Sequence, residues 1–151
     1  MAADLATLVG TSRTSPWFTV EQGAVTAFGE LTGDRNPLHL DPVWCAQHSP
    51  FGRTIAHGFY TTSLLVQLAA DAGPLDLPAG MVGLNYGFDR LRLVAPVPVG
   101  SRVRGVFTVA SIEPRGDGQL QLKQNVEVQV EGAERPALVA EWLTMLVGAP
   151  A

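Results

Sequence analysis

The chain has few of the residues that would tie it to an oxidising compartment or a nucleic acid. Cys45 is its only cysteine, so an internal disulfide is excluded, and the thiol is best explained as a small buried packing residue. Ten basic residues against fourteen acidic ones give a net charge of −4, which argues against general affinity for DNA or RNA. This balance does not exclude an anionic ligand held by a few arginines.

Long hydrophobic runs are missing as well. The longest apolar segment, residues 59–70, is interrupted by three hydroxyl residues and a glutamine, and it is too short to span a bilayer. The first sixteen residues contain no basic region followed by an apolar stretch, so we predict no secretion signal. We therefore expect no membrane partner and a cytoplasmic location. The length of 151 residues predicts a single domain, residues 1–151.

Hydrophobic periodicity predicts a helix near the start of the chain. Apolar side chains recur at helical spacing from Val20 to Leu31, and Gly33 stands where such a helix would end. Thr19 and Gln22 have the spacing of a capping box. The sequence therefore predicts a capped helix that ends immediately before Asp34.

The following segment, residues 34–56, contains three X-Pro dipeptides, and we predict that it is largely irregular. Within it, Asp41 followed by Pro42 suits a helix cap and first turn, which predicts a short helix through Trp44 and Gln47. The loop that precedes this short helix is where we look for functional side chains, because loops held by a rigid scaffold often carry them.

A third helix is predicted from His57 to Ala72, and it is apolar or small on nearly every side. A helix without a broad charged face is usually buried on most of its circumference. Four strand-like stretches follow, at residues 81–94, 101–113, 119–131 and 137–148. The expected architecture is an α+β layer, in which antiparallel strands curl around one buried helix at about residues 57–72.

Asp34 and His39 form the most informative polar pair. They stand five residues apart across a proline turn that Asn36 and Pro37 would stabilise. A carboxylate beside an imidazole can orient one water molecule and remove its proton. The same residues also fit a structural interpretation, in which Asp34 ends a helix, Asn36-Pro37 makes an ordinary turn and His39 is partly buried.

Gly58 is the second candidate for chemistry, because His57 and Gly58 open the predicted buried helix. The start of a helix offers unpaired backbone N–H groups, and a glycine leaves its own N–H unshielded. A substrate carbonyl could therefore approach the Gly58 amide, and a thioester carbonyl would gain stabilisation as it becomes an enolate. Close helix packing is the alternative explanation for this glycine.

Together these segments resemble the MaoC-like hydratase/dehydratase family, in the branch related to nodulation protein N. The resemblance extends from about Trp17 to Leu146 and is specific as a combined pattern. The matching motifs are Thr-Gly-Asp34, His39-Leu-Asp41-Pro42, Pro50-Phe-Gly, Thr54-Ile-Ala-His57-Gly58, Asn85-Tyr86-Gly87 and Ala95-Pro-Val-Pro-Val-Gly100.

The resemblance implies a hotdog fold and a homodimer in which two sheets join edge to edge. It also implies reversible hydration of a trans-2-enoyl-CoA to an (R)-3-hydroxyacyl-CoA. Asp34 and His39 would activate the water, and the Gly58 amide would hold the thioester carbonyl. The expected partner is an acyl-CoA or acyl-carrier thioester, and no cofactor is expected because coenzyme A is part of the substrate.

Further residues are candidates for substrate binding: Asn36, His57, Ser63, Asn85, Tyr86, Arg53 and Arg90. Some hydratases of the family have a serine two turns beyond the glycine, where this chain has Val66, with Ser63 nearby but not equivalent. Arginines could meet coenzyme A phosphates, although solvated strand arginines are the commoner explanation. His57 is more typical of a positioned structural histidine than of a second base. Three scattered histidines without supporting ligands predict no metal site.

Two other functions fit the sequence. One is acyl-CoA hydrolysis by a thioesterase of the hotdog class, and the other is a non-catalytic module that binds acyl thioesters and dimerises. The Asp34 and His39 pair argues against the non-catalytic module, because binding alone does not need an acid–base pair.

Overall fold

One antiparallel sheet of six strands is the largest part of the computed structural model, which describes residues 5–148. Residues 1–4 and 149–151, which the predicted domain 1–151 includes, lie outside the described residues. The strands run in the order β1-β4-β5-β6-β3, and β2 also pairs with β4. Their bounds are β1 Ser12–Thr14, β2 Phe18–Thr19, β3 Met81–Leu93, β4 Arg102–Arg115, β5 Gln119–Val130 and β6 Leu138–Gly148.

These bounds confirm the four predicted long strands to within two residues at each end. Side chains alternate along part of β5, since Val126 and Val128 are buried while Glu127 between them is exposed. A polar residue shares the inner face, because Gln124 is buried and accepts a hydrogen bond from Arg13 at 3.1 Å. The order of the strands leaves β3 at an edge of the sheet.

The helices are α1 Gln22–Thr32, α2 Pro37–Leu40, α3 Pro42–His48 and α4 Gly58–Asp71, and a 3-10 turn spans Leu5–Leu8. The predicted end of α1 is confirmed, because Gly33 adopts the left-handed conformation with φ 80°. The predicted capping box is wrong. Thr19 belongs to β2, and Glu21 stands at the N-cap without a side-chain hydrogen bond.

The short helices α2 and α3 each begin with a side-chain N-cap. The Asn36 side chain accepts a hydrogen bond from the Leu38 amide at 3.0 Å, and the Asp41 side chain accepts one from the Trp44 amide at 2.8 Å. A proline follows each cap, and its fixed φ suits the first helical position. The helix predicted at Asp41 is therefore confirmed. The segment before it is more regular than predicted, because His39 lies in the single turn of α2.

The helix α4 packs one of its faces against the sheet. Tyr60, Leu64 and Leu68 on this face belong to the main hydrophobic core, together with side chains of α1, β4, β5 and β6. The opposite face is not covered, since Phe59 is 77% exposed and Val66 is 53% exposed. The prediction that most of the helix circumference is buried is therefore wrong for the single chain, because the sheet reaches only one side of the helix.

None of the helices within residues 5–148 combines the length and the apolar character that a membrane span requires.

Candidate active site

Three side chains from different elements converge at the N-terminal end of α4. Asp34 lies in the loop after α1, His39 lies in α2, and His57 stands immediately before α4. One potential ligand atom from each residue lies within 4.8 Å of the other two. The pair predicted from the Asp-x-x-x-x-His spacing thus lies together. The expectation that the histidines are scattered is wrong for His39 and His57.

The His39 ring has a defined tautomer. Its Nδ1 lies 2.8 Å from the carbonyl oxygen of Ile55, and a carbonyl only accepts hydrogen bonds, so Nδ1 carries the proton. In the neutral ring the lone pair therefore lies on the other nitrogen, Nε2. A lone pair on a positioned imidazole nitrogen is what general-base chemistry requires.

The backbone of the α2 turn is held from two sides. The Gln22 side chain donates through Nε2 to the His39 carbonyl at 2.7 Å, and its Oε1 accepts from the Thr54 hydroxyl at 2.5 Å. The Ile55 amide donates to the Leu38 carbonyl at 3.2 Å. Sequence reasoning missed the role of Gln22 because it assigned this residue to a capping box.

Gly29 leaves the space in which the Asp34 loop approaches α1. A Cβ at this position would lie 2.7 Å from the Asp34 carbonyl oxygen and 2.8 Å from Leu40 Cδ1. Both distances are shorter than a van der Waals contact, so a larger residue would displace the loop. The only signal for this role in the sequence was a glycine inside an otherwise helical pattern.

A cavity of about 240 Å³ has both His39 and Gly58 in its wall. Gly58 is the first residue of α4, so its amide has no intrahelical partner. A Cβ at Gly58 would overlap Leu93 Cδ1, which lies in the same wall. The rest of the wall is mainly apolar: Ile55, Ala56, Thr61, Val94, Ala95, Pro96, Val97 and Ala137. The cavity thus combines the predicted base and the predicted amide donor in apolar surroundings.

Three predicted substrate-binding residues, Ser63, Asn85 and Tyr86, line a second cavity of about 260 Å³. This cavity lies between α4 and β3 and includes Val66. The Ser63 hydroxyl donates to the Phe59 carbonyl at 2.8 Å, within its own helix. Within the single chain, therefore, these predicted residues separate into two groups, one in the wall of each cavity.

The other four predicted substrate-binding residues lie outside the second cavity. Asn36 caps α2, Arg53 is exposed in the turn after α3, and the buried His57 lines neither cavity. Arg90 lines a hollow with Thr108 and Glu127, away from His39. The structure does not bring these four side chains together around one space.

Other strand arginines have partners on the protein surface. Arg102 forms an ion pair with Glu131 at 3.0 Å, and the Arg104 guanidinium lies 4.5 Å from the centre of the Trp17 ring. These contacts support the interpretation of strand arginines as surface residues rather than as phosphate ligands.

Comparison with known proteins gives consistent matches. The family described as "MaoC like domain" matches residues 4–132. Nodulation protein N of Rhizobium leguminosarum bv. viciae is 42% identical over 132 residues, which are 87% of this chain and 81% of that protein. The 3-hydroxyacyl-thioester dehydratase Z of Mycobacterium tuberculosis (strain ATCC 25618 / H37Rv) is 40% identical over 146 residues, which are 96% of this chain and 95% of that protein.

Solved structures match as well. The (R)-hydratase from A. caviae involved in PHA biosynthesis has a TM-score of 0.66 and 29% identity, with 90% of this chain and 94% of that chain covered. This match and the arrangement of α4 on an antiparallel sheet confirm the predicted hotdog fold.

Proposed function

Because the chain belongs to the MaoC-like family, we propose that it is a lyase that reversibly adds water to trans-2-enoyl-CoA thioesters and forms (R)-3-hydroxyacyl-CoA. One observation carries the proposal. The imidazole of His39 has a free Nε2, lies beside the Asp34 carboxylate, and shares a cavity wall with the first amide of α4. Relatives named as dehydratases and hydratases support the class of reaction.

In the proposed reaction, one water molecule lies between the Asp34 carboxylate and His39 Nε2. The water oxygen bonds to the β carbon of the enoyl group as the Asp34–His39 pair removes its proton, and the α carbon receives a proton from the same pair. Such acid–base participation typically contributes ~10²–10⁴ in rate. The two groups act as one coupled unit, so no single proton is assigned to either.

The Gly58 amide has the proposed role of donor to the thioester carbonyl. Negative charge accumulates on this oxygen when water adds at the β carbon, and an N–H group at a helix start stabilises it. One such donor is typically worth ~3–4 kcal/mol of barrier. The apolar wall of the cavity strengthens the effect, because a hydrogen bond to a charge is stronger where water is excluded.

Incubation with crotonyl-CoA tests the reaction. Loss of enone absorbance without free thiol is the expected result, whereas release of free thiol would identify a thioesterase. Asp34→Asn and His39→Asn should each lower kcat by ~10²–10⁴. His48→Asn is the matched control, because His48 is exposed on α3 and lines neither cavity. Binding without turnover in the unmodified protein would instead identify a non-catalytic module.

A pair of variants tests Gly58 against the alternative of helix packing. Gly58→Ala adds a Cβ that overlaps Leu93 Cδ1, and the half-exposed Leu93 can be shortened without damage to the core. We expect the double variant Gly58→Ala/Leu93→Ala to stay impaired, because the new methyl group still covers the amide. Recovery of kcat in the double variant would mean that Gly58 serves packing alone.

The proposed assembly is a homodimer in which the β3 edges of two chains pair. Support comes from the edge itself, a strand of 13 residues whose outer backbone groups have no partner strand among residues 5–148. Val82, Leu84 and Tyr86 on β3 are exposed, as are Phe59 and Val66 on the neighbouring helix. A second copy would cover these apolar side chains and bring the two cavities of the site toward a shared boundary.

A cytoplasmic location, the absence of a cofactor and the absence of a nucleic-acid partner stay predictions. The identity of the thioester carrier, coenzyme A or an acyl-carrier protein, is likewise left to experiment.

A further inference from the structure

His57 contacts both members of the proposed acid–base pair although its own side chain is only 1% exposed. It lines neither of the two cavities beside α4, so it does not present its ring to a ligand there. We infer that His57 is a positioning residue for Asp34 and His39. The inference rests on the proposed function of that pair, and it replaces the expectation that His57 binds substrate.

The first contact holds the Asp34 loop. His57 Nε2 lies 3.0 Å from the Asp34 carbonyl oxygen, and it must donate because the carbonyl only accepts. Gly29 makes this bond sterically accessible, since a Cβ there would lie 3.1 Å from His57 Nε2 as well as against the Asp34 carbonyl. The backbone of an exposed loop residue is thereby tied to a buried ring next to α4.

The second contact orients the His39 ring. The two imidazole rings lie with their centroids 3.9 Å apart and their planes inclined by 32°. The hydrogen bond from His39 Nδ1 to Ile55 acts in the plane of the ring, whereas the stack with His57 acts on its face. Two restraints in different directions determine where Nε2 points, and Phe28 supports His57 in turn with a centroid distance of 5.2 Å.

The choice of residue supports a role beyond packing. His57 Nδ1 is buried without a hydrogen-bond partner among residues 5–148. A residue present only to fill this space would be better as a phenylalanine, which buries no unpaired polar atom. Among side chains small enough for this space, histidine combines a flat ring for His39 with an N–H at the edge that faces Asp34.

Two variants separate the contacts. His57→Phe keeps a ring beside His39 but removes the donor to Asp34, and His57→Gln keeps an N–H donor but removes the ring. We expect each to lower the kcat for crotonyl-CoA by about 10- to 100-fold with KM nearly unchanged, because small misplacements of reacting groups have effects of this size. Unchanged kcat, or a raised KM with unchanged kcat, would overturn the inference.

Gln124→Leu is the matched control for the loss of a buried polar side chain. Gln124 is buried on β5, bonds to Arg13 and touches none of the three residues. This variant should lower Tm and leave kcat unchanged. If Gln124→Leu lowered kcat as much as the His57 variants do, those variants would act through a general loss of stability, and the positioning role of His57 would be wrong.

Nitrogen NMR of the His39 ring gives a readout that needs no turnover. We expect one Nδ1–H tautomer in the unmodified protein and in Gln124→Leu, and mixed or broadened His39 signals in His57→Gln. If Asp34→Asn and His39→Asn retain activity, the proposed function fails, whereas the His39 signals still report on positioning. If those variants are inactive while the His57 variants keep both kcat and the His39 signals, only the positioning inference is wrong.

Discussion

The segment that contains the proposed acid–base pair, residues 33–58, contrasts with the face formed by α4 and β3. In the first region Gln22 and His57 donate hydrogen bonds to the carbonyl oxygens of His39 and Asp34, and His39 Nδ1 donates to the Ile55 carbonyl. In the second region, exposed apolar side chains line a cavity and the edge strand has no partner on its outer side among residues 5–148. Hydrogen bonds within one chain hold the polar region, whereas the apolar side chains of the second region are exposed in the single chain.

The difference follows from the forces involved. Hydrogen bonds are directional, and the polar region satisfies them within one chain between residues that lie 16 to 23 positions apart in the sequence. Apolar surface gains stability only when something removes it from water, and a free strand edge invites another strand. The proposed site thus has a half that hydrogen bonds within the chain hold in place, and a half whose exposed apolar side chains a second copy or a ligand would cover.

Among variants that keep the Asp34 and His39 side chains, Gly29→Ala should have the largest effect on the polar region. The new Cβ would press against the Asp34 carbonyl and Leu40, so we expect the loop to shift and kcat to fall by about 100-fold, as for other misplaced catalytic groups. Gly23→Ala on the same helix is the control, because a Cβ there meets nothing within 4 Å. That control should raise the stability by up to about 1 kcal/mol with kcat unchanged.

Equal activity of the two glycine variants would contradict the steric role of Gly29. Enzyme kinetics and thermal unfolding of both variants, measured side by side, are sufficient to decide.

Val66→Lys tests whether a second copy covers the apolar region. A lysine in the middle of the exposed α4 face should weaken a dimer by at least about 30-fold, the equivalent of one interface hot spot of about 2 kcal/mol. Leu31→Lys is the control, because Leu31 is exposed on α1, away from α4 and β3. Sedimentation velocity across a concentration series should show dissociation only for Val66→Lys, and an unmodified protein that is monomeric throughout would refute the proposed homodimer.

Gln22→Glu should have a smaller effect on the polar region. The variant keeps an acceptor for the Thr54 hydroxyl but removes the donor to the His39 carbonyl. Loss of one such bond corresponds to about 1–2 kcal/mol, so kcat should fall by about tenfold. Gln47→Glu, at an exposed position of α3, should match the unmodified protein. A Gln22→Glu enzyme with unchanged kcat would show that α2 is held without Gln22.

The smallest expected effect concerns Cys45, because the rate at which its thiol is alkylated reports how tightly α2 and α3 pack. Its Sγ lies 3.4 Å from the Pro37 carbonyl, and burial, with the nearby Asp41 carboxylate, raises the pKa of its thiol. Because the folded thiol ionises at higher pH than the unfolded one, its contribution to stability falls as the pH rises above the ordinary pKa of cysteine. Alkylation should be slow in the native protein and fast in urea, and fast native labelling would contradict this packing.

Much of the fold could be predicted because its signals are local. Strand-like stretches marked the four long strands, Gly33 marked the end of α1, and Asp41 with Pro42 marked the start of α3. The same local character explains why Thr19 and Gln22 misled the prediction. A capping box forms only where the helix begins immediately after the threonine. Thr19 instead pairs with Arg102 on β4, and the helix begins at Gln22.

The sequence by itself determined the order of the elements, the family motifs and the proximity of Asp34 to His39, since these depend on neighbours within a few residues. Only the tertiary structure decided that His57 stacks on His39, that Gln22 reaches Thr54 and His39, and that one face of α4 stays exposed. The physical reason is distance along the chain. Gln22 and Thr54 are 32 residues apart, and their contact exists only once α1 and the segment before α4 have packed together.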